Sequence, residues 1–130
     1  MSELKPISIL IPFKKTDEGL LLWTQIRDSD DELKGTFEFP GGKVEIGESP
    51  AEAAVREVLE ETSVKVDSGE ITRFGQYPFG KLLIYVYLFE DKLGIFGQAG
   101  YFRGRELVQM KNQIPPNNLL ILNDIFKRFQ

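Results

Sequence analysis

The sequence predicts an α+β protein, an α/β/α sandwich in which a mixed β-sheet is packed between two helices. Three observations carry this expectation. Residues 82–89 (LLIYVYLF) are apolar at consecutive positions, as a central strand is when both of its faces are covered. Residues 49–62 and the stretch from Asn117 onward repeat apolar side chains at helical spacing, so each can cover one face. Apolar, β-branched runs at 7–13 and 20–25 supply further strands. A chain of 130 residues buries about two-thirds of its extended surface on folding, enough for one core, so residues 1–130 are expected to form a single domain.

Between the runs at 7–13 and 20–25 lies KKTDEG, whose Asp17 and Gly19 suit a turn, and the two runs form a hairpin. Residues 27–35 (RDSDDELKG) are polar, acidic and without period, and are expected as a surface loop before a short strand at 36–39. The first helix is the most strongly marked element. Ser49 stands as N-cap, Pro50 at the first helical position and Glu52 three residues after the cap, which is a capping box. Ala51, Val55, Val58 and Thr62 would form its buried stripe, widened by Ala54 and Leu59. A strand is expected at 71–75, with Tyr77 and Phe79 in a turn before the central strand, where they would either pack in the core or stack on a bound base. Another short strand is expected at 101–103. In the terminal helix, Leu119, Leu122, Phe126 and Phe129 share one stripe, and Lys127 and Arg128 suit its C-terminal end.

Composition narrows the chemistry. The chain has no cysteine and no histidine, so disulfides, thiolate metal sites, cysteine nucleophiles and imidazole bases are excluded together. Carboxylates, lysine, arginine, hydroxyls or a hard metal must do the work. Sixteen Lys and Arg against 20 Asp and Glu give a net charge of -4 and a pI of about 4.9, the wrong sign for an extended nucleic-acid surface. The opening MSELKPIS is charged and no apolar run approaches a membrane span, so a soluble cytoplasmic protein without membrane contact is expected. The residues leave monomer and homodimer open.

Glu57, Glu60 and Glu61 occupy positions i, i+3 and i+4 of the first helix and project from one side of it, away from the Val55 and Val58 stripe. Such a cluster is compatible with a merely solvated face, because like charges at these spacings cost only a few tenths of a kcal/mol per pair, on the order of 0.2–0.5. Its surroundings argue for more. Arg56 adjoins it, Glu48 stands just before the helix, and Pro40, Gly41, Gly42 and Lys43 form a loop that lets backbone approach a ligand closely. Oxygen donors without histidine suit Mg²⁺ or Mn²⁺, which would also let an acidic protein hold an anionic polyphosphate.

Gly42, Glu48 six residues on, and Arg56-Glu57-Val58-Leu59-Glu60-Glu61-Thr62-Ser63-Val64 after seven more resemble the Nudix box, G-x5-E-x7-R-E-U-x-E-E-x-G-U with U apolar. Every fixed position agrees except Ser63, where the family has the glycine of a left-handed helix terminus. With ordinary residue frequencies the agreement arises by chance at a given start with a probability on the order of 10⁻⁸. The box covers 23 of 130 residues, and the preceding Phe37-Glu38-Phe39-Pro40-Gly41-Gly42-Lys43 is similar to the same segment in the MutT-type branch. Ile114-Pro115-Pro116-Asn117-Asn118 is similar to the PPAN-type segment of that branch, whose last asparagine contacts a purine base.

The resemblance implies the Nudix fold and metal-assisted hydrolysis of a nucleoside diphosphate linked to another group. For the MutT-like branch the substrate is a nucleoside triphosphate, including oxidised purines, and the products are a nucleoside monophosphate and pyrophosphate. Nucleotide sugars, dinucleoside polyphosphates, 5′-triphosphate RNA ends and a non-catalytic nucleotide sensor are the alternatives. Carried onto this chain, Glu57, Glu60 and Glu61 with the Gly41 carbonyl would hold Mg²⁺ or Mn²⁺, and Glu57 or Glu60 would accept the proton of the attacking water. Arg56 would orient the carboxylates, Glu48 among them, through charge-assisted hydrogen bonds. Asn118, Arg27, Phe39 and Lys43 are the substrate-binding candidates; a cap or turn role is the competing reading for Asn118. One departure concerns Gly97-Gln98-Ala99-Gly100-Tyr101-Phe102, similar to the MutT segment GQPGEW but with Tyr101 in place of its glutamate. A phenol is a poor base near neutrality, so the box glutamates must serve, with Glu106 the nearest acid if the loops align differently.

Overall fold

The computed structural model describes residues 3–129. Strand β1 (Lys5–Thr16) runs the length of the sheet and turns at Asp17 and Glu18 into β2 (Gly19–Trp23), the expected hairpin, with Thr16 opposite Gly19. Short strands β3 (Gln25–Ile26) and β4 (Phe37–Glu38) pair with each other around the acidic loop, off the main sheet. β5 (Gly41–Lys43) returns to β1. After α1 (Pro50–Thr62) come β6 (Thr72–Phe79) and β7 (Leu82–Glu90), then β8 (Tyr101–Arg103), α2 (Gly104–Gln109) and α3 (Pro116–Arg128). The main sheet runs β6-β7-β1-β2-β8, with β1 and β7 parallel and β5 added to β1.

The middle strand changes partner along one edge, and this opens the space for the site. Ile7 to Ile9 pair with β5, whereas Phe13 to Thr16 pair with β2. Backbone N–H groups alternate between the two edges of a strand, and Leu10 donates toward Pro40 on the β5 side. Pro12 therefore aims its missing N–H at the same edge, in the gap between the two partners, where no ladder bond is lost.

Alternation along β7 fills two cores. Ile84 and Val86 pack with Ile9, Ile11, Leu107, Ile121, Leu122 and Ile125 on the α2/α3 side. Tyr87 and Phe89 pack with Leu10, Ala54, Val58, Val66 and Phe96 on the α1 side. Both faces of β7 are thus covered, as the unbroken apolar run requires.

Five details depart from the sequence reading. Gly41 to Lys43, read as part of a loop, are the strand β5, because their backbone pairs with Ile7 to Ile9 of β1. Helix α2 is additional; its six residues are too few to show a period, and Arg103 gives it no side-chain cap. In α1 the fully buried residues are Ala53, Ala54 and Val58, and Leu59 is exposed, because the helix rolls toward β5. In α3 the buried row is Asn118, Ile121, Leu122 and Ile125, leaving Phe129 exposed. Tyr77 and Phe79 belong to β6, and the turn falls at Gly80 and Lys81.

Candidate active site

Helix α1 is set by its own sequence before any packing. The Ser49 hydroxyl accepts from the Glu52 N–H at 3.1 Å, the Glu52 carboxylate accepts from the Ser49 N–H at 2.9 Å, and Pro50 stands in the first turn. The buried Ser8 hydroxyl donates to the Pro50 carbonyl at 2.7 Å and fastens this end to β1. At the other end Ser63 adopts φ 64°, the left-handed conformation expected there, and its N–H closes on the Leu59 carbonyl.

Two glycines bring β5 under the helix. A Cβ at Gly41 would overlap the Ser8 carbonyl of the neighbouring strand, and one at Gly42 would overlap the Glu57 carboxyl group. Glu57 is consequently pressed between helix and strand, with 17 % of its side chain exposed. This corrects the expectation that all three carboxylates face away from the apolar stripe. Glu57 and Glu61 continue the Ala53 row toward β5, but of the three only Glu57 is largely covered; Glu61 is exposed, and Glu60 has 57 % of its side chain in solvent.

Arg56 joins these groups. Its Nε and Nη2 donate to the two Glu48 oxygens at 2.7 and 3.0 Å, a bidentate pair. Nη1 donates to Glu57 at 3.0 Å and Glu60 at 3.2 Å, and Nη2 also donates to the Lys43 carbonyl at 2.8 Å. The guanidinium is held charged well above its ordinary range, first by Glu48, while Arg56 in turn lowers the Glu48 carboxyl. Glu61 has the opposite environment. Much of its side chain faces solvent, yet its carboxyl group is desolvated, and this first cause pushes its pKa up to about 7. A hydrogen bond from Gln25 Nε2 opposes the rise; a hydrogen bond with Glu57 and the charges of Glu57 and Glu38 add to it.

The donor set fits a hard cation in kind. Glu57 and Glu61 are neighbouring oxygen donors, and the influence of Glu57 that helps raise the Glu61 carboxyl is one that a divalent ion relieves. As placed, no three acidic side chains among the described residues close around one point, and Glu60 is turned to Arg56.

From Glu61 a hollow of about 380 Å³ runs past Gln25, Gly41, Glu38 and Arg27. Arg27, Glu38 and Gly41 also line a cleft of about 450 Å³ on the other side, walled by Phe39, Phe79, Asn117 and Asn118 over a floor of Ile7, Ile9 and Leu82. The two hollows adjoin, with Arg27, Glu38 and Gly41 in the lining of both. There Arg27 donates to Glu38 at 3.0 Å, Asp31 at 2.7 Å and Ser29 at 3.0 Å. Its pKa is raised, chiefly by Asp31, and burial raises that of Glu38. A separate hollow of about 210 Å³ beside Leu20, Leu22, Ile125 and Phe126 contains none of the predicted residues.

At the far end Asn118 is buried within the first turn of α3, three residues past the N-cap Pro115, so it is not the cap. Its Oδ1 accepts from the Phe39 N–H at 2.7 Å, and its Nδ2 donates to Asn117 Oδ1 at 2.9 Å. Phe39 itself is buried, and Lys43 is exposed at the edge of β5 opposite Ile7. Tyr101 has another occupation: its hydroxyl donates to Asp91 at 2.8 Å, and burial followed by this bond raises its pKa far above the ordinary phenol value. Buried Asp91 also accepts from the Ile95 and Phe96 N–H groups, so the pair organises the loop before β8. Glu106, on α2, faces Arg103 across 4.0 Å. Sequence reasoning missed Gln25, Glu38 and Asn117. Glu38 lay within the segment already singled out, whereas nothing about an isolated glutamine on a two-residue strand marks Gln25.

The family model described as NUDIX domain matches residues 4–126. The chain belongs to the Nudix family. This Nudix chain is 29% identical over 125 residues to an 8-oxo-dGTP diphosphatase of Haemophilus influenzae, covering 92% of the chain and 90% of that protein. It is 34% identical over 61 residues to the 8-oxo-dGTP diphosphatase of Escherichia coli, covering 47% of the chain and 46% of that protein. A solved MutT structure described for Aliivibrio salmonicida and Vibrio cholerae superposes with a TM-score of 0.72 at 26% identity, over 98% of the Nudix chain and 100% of the other. The NUDIX domain of Shewanella oneidensis NrtR, solved with ADP ribose, shares the fold with a TM-score of 0.74 at 16% identity, over 100% and 90% of the two chains. Nudix hydrolases generally require a divalent metal ion. Among the described residues no helix is long and apolar enough to cross a membrane.

Proposed function

We propose that this Nudix chain is a nucleoside triphosphate pyrophosphohydrolase that converts a purine nucleoside triphosphate, 8-oxo-dGTP among the candidates, to the monophosphate and pyrophosphate. The carrying observation is the pair of adjoining hollows, one lined by Glu61 of α1 and the other a cleft lined by Phe39, Phe79 and Asn118, with Arg27, Glu38 and Gly41 common to both. The names of the Haemophilus and Escherichia relatives support the same reading.

Hydrogen bonding at the cleft favours a ring with carbonyl oxygens. The Phe39 N–H requires an acceptor, which fixes Asn118 Oδ1, and the Asn118 N–H fixes Asn117 Oδ1 in the same way. What the two amides have left to offer is N–H donors. A 6-oxopurine presents acceptors to such a wall, whereas the amino group of a 6-aminopurine does not.

At the other end, Glu57 and Glu61, with the Gly41 carbonyl and Glu60 after rotation, would hold Mg²⁺ or Mn²⁺. A hard divalent cation supplies charge neutralisation at phosphate oxygens and a more acidic water. Arg56 steadies Glu48, Glu57 and Glu60 at once, so its role is positioning. Glu57, fixed over Gly42, is the group we assign to accept the proton of the attacking water. Arg27, in the lining of both hollows, and Lys43, exposed on β5 next to Gly42, would meet the phosphates. We place all 130 residues in this one domain and the protein in the cytoplasm, with monomer and homodimer both compatible.

The test is turnover with Mg²⁺ and Mn²⁺ on nucleoside triphosphates, 8-oxo-dGTP, nucleotide sugars and dinucleoside polyphosphates, with products resolved by chromatography. Monophosphate and pyrophosphate from a triphosphate are expected. Turnover of a sugar or dinucleoside substrate alone would replace the substrate assignment, and binding without turnover would replace the enzyme by a sensor.

A further inference from the structure

We infer that Gln25 is a positioning residue, a neutral donor that orients the Glu61 carboxylate without pairing a charge to it; the inference rests on the reading of Glu61 as a metal ligand. The Gln25 Nε2 donates to Glu61 Oε1 at 2.5 Å, across 36 positions of the chain. Backbone bonds fix where this amide stands. Thr24, just before it, is buried, and its N–H donates to the Gly100 carbonyl at 2.9 Å. Gln25 then pairs with Glu38 of β4, and beyond it the Arg27 N–H donates to the Thr36 carbonyl at 2.8 Å. Residues directly opposite in an antiparallel pair share a face, so Gln25 and Glu38 stand together beside the hollow that Glu61 also lines.

The carboxylates at this end are partnered unevenly. Arg56 binds Glu48, Glu57 and Glu60, and all three of its nitrogens are engaged, Nη2 also by the Lys43 carbonyl. Arg27, the guanidinium that lines the hollow, is likewise occupied, by Ser29, Glu38 and Asp31. Neither can turn to Glu61 without releasing a carboxylate it already holds. Among the described residues Glu61 is in no ion pair, and an amide stands where its neighbours have a cation. For a divalent ion this difference is decisive. A lysine or arginine at position 25 would orient the carboxylate but offset its charge and repel the arriving ion. An amide N–H orients the same oxygen and adds no charge, so the attraction of Glu61 for the ion is left intact.

The test is calorimetric titration of Mn²⁺ into chelator-stripped wild type, Gln25→Met, Gln25→Lys and Glu61→Gln, with melting temperatures measured alongside. Gln25→Met keeps the length and loses the donor, and is expected to bind Mn²⁺ about tenfold more weakly than wild type. Gln25→Lys keeps a donor and adds a charge. It is expected to bind Mn²⁺ more weakly still, with its deficit against Gln25→Met narrowing as salt is raised from about 50 mM to about 500 mM. Melting temperatures of the Gln25 variants should stay level, whereas a packing role would move them and leave the order of affinities unchanged. Mn²⁺ binding to Gln25→Met at wild-type strength would overturn the inference, as would tighter binding by Gln25→Lys than by Gln25→Met. If the Gln25 variants weaken as expected while wild type hydrolyses no nucleoside triphosphate, the positioning role stands and the hydrolase reading falls. If wild type binds no Mn²⁺, or Glu61→Gln binds it equally well, the reading of Glu61 as a ligand falls and the inference with it.

Discussion

Helices α1 and α3 are each 13 residues long and each begins with a proline, yet they are held in place by different means. α1 carries its own instructions, with a reciprocal cap at Ser49 and Glu52 and a left-handed exit at Ser63. α3 has no side-chain cap and is located by distant partners: Phe39 on Asn118, Tyr77 on Asp124 and the Phe74 carbonyl on Arg128. The contrast matches what each presents to its hollow. α1 holds carboxylates that repel one another and so needs a scaffold independent of them, whereas α3 offers satisfied amides whose bonds are themselves the scaffold.

The largest effect should come from the α1 end. Glu61→Gln removes a charged oxygen donor and is expected to lower metal-dependent kcat on the order of a hundredfold, with far-ultraviolet circular dichroism unchanged. Wild-type turnover at saturating Mg²⁺ would remove Glu61 from the set. Arg56→Lys retains the charge but loses the fork that spans Glu48, Glu57 and Glu60, and should cost about tenfold in kcat with little change in KM.

The same glutamate predicts a pH effect of opposite benefit. In protein stripped of metal, the Glu61 carboxyl titrates at about 7 when folded against 4.5 for the ordinary group, so the folded state binds the proton more tightly. Stability should therefore fall as pH rises from about 4.5 to about 7. Glu61→Gln removes that penalty. Thermal unfolding with chelator should show the variant more stable than wild type at pH 8, by on the order of 1 kcal/mol after solvent screening, with the gap closing at pH 4. A smaller effect tests the local character of α1. Ser63→Gly relieves a left-handed serine and should raise stability by about 0.5–1 kcal/mol without altering kcat.

This division also explains what could be read from the sequence. The α1 cap, the box spacing and the covered central strand depend on near neighbours or on composition, and all stand in the structure. The buried row of α3 was misplaced because a polar Asn118 does not announce itself as core. Its burial becomes possible only once Phe39 and Asn117 satisfy its amide, and that turns Ile121 and Ile125 inward and Phe129 out. The cleft was illegible for a related reason: Ile7, Arg27, Glu38, Phe79 and Asn118 come from separate elements, and only the change of partner along β1 brings them round one space. Tyr101 illustrates the limit of a local match, since its partner Asp91 stands ten residues earlier, outside the matched segment.

The central claim is that two adjoining hollows perform two separable tasks, chemistry at α1 and base reading at α3. It is tested most directly by kcat and KM for GTP and ATP with Mg²⁺ in wild type, Glu61→Gln, Asn118→Ala and the double variant. The account predicts that Glu61→Gln lowers kcat equally for both nucleotides, and that Asn118→Ala reduces the GTP over ATP preference in kcat/KM by about five- to tenfold with kcat for ATP nearly unchanged. The double variant should show the product of the two effects. Equal losses for both nucleotides in Asn118→Ala, or a changed preference in Glu61→Gln, would contradict it.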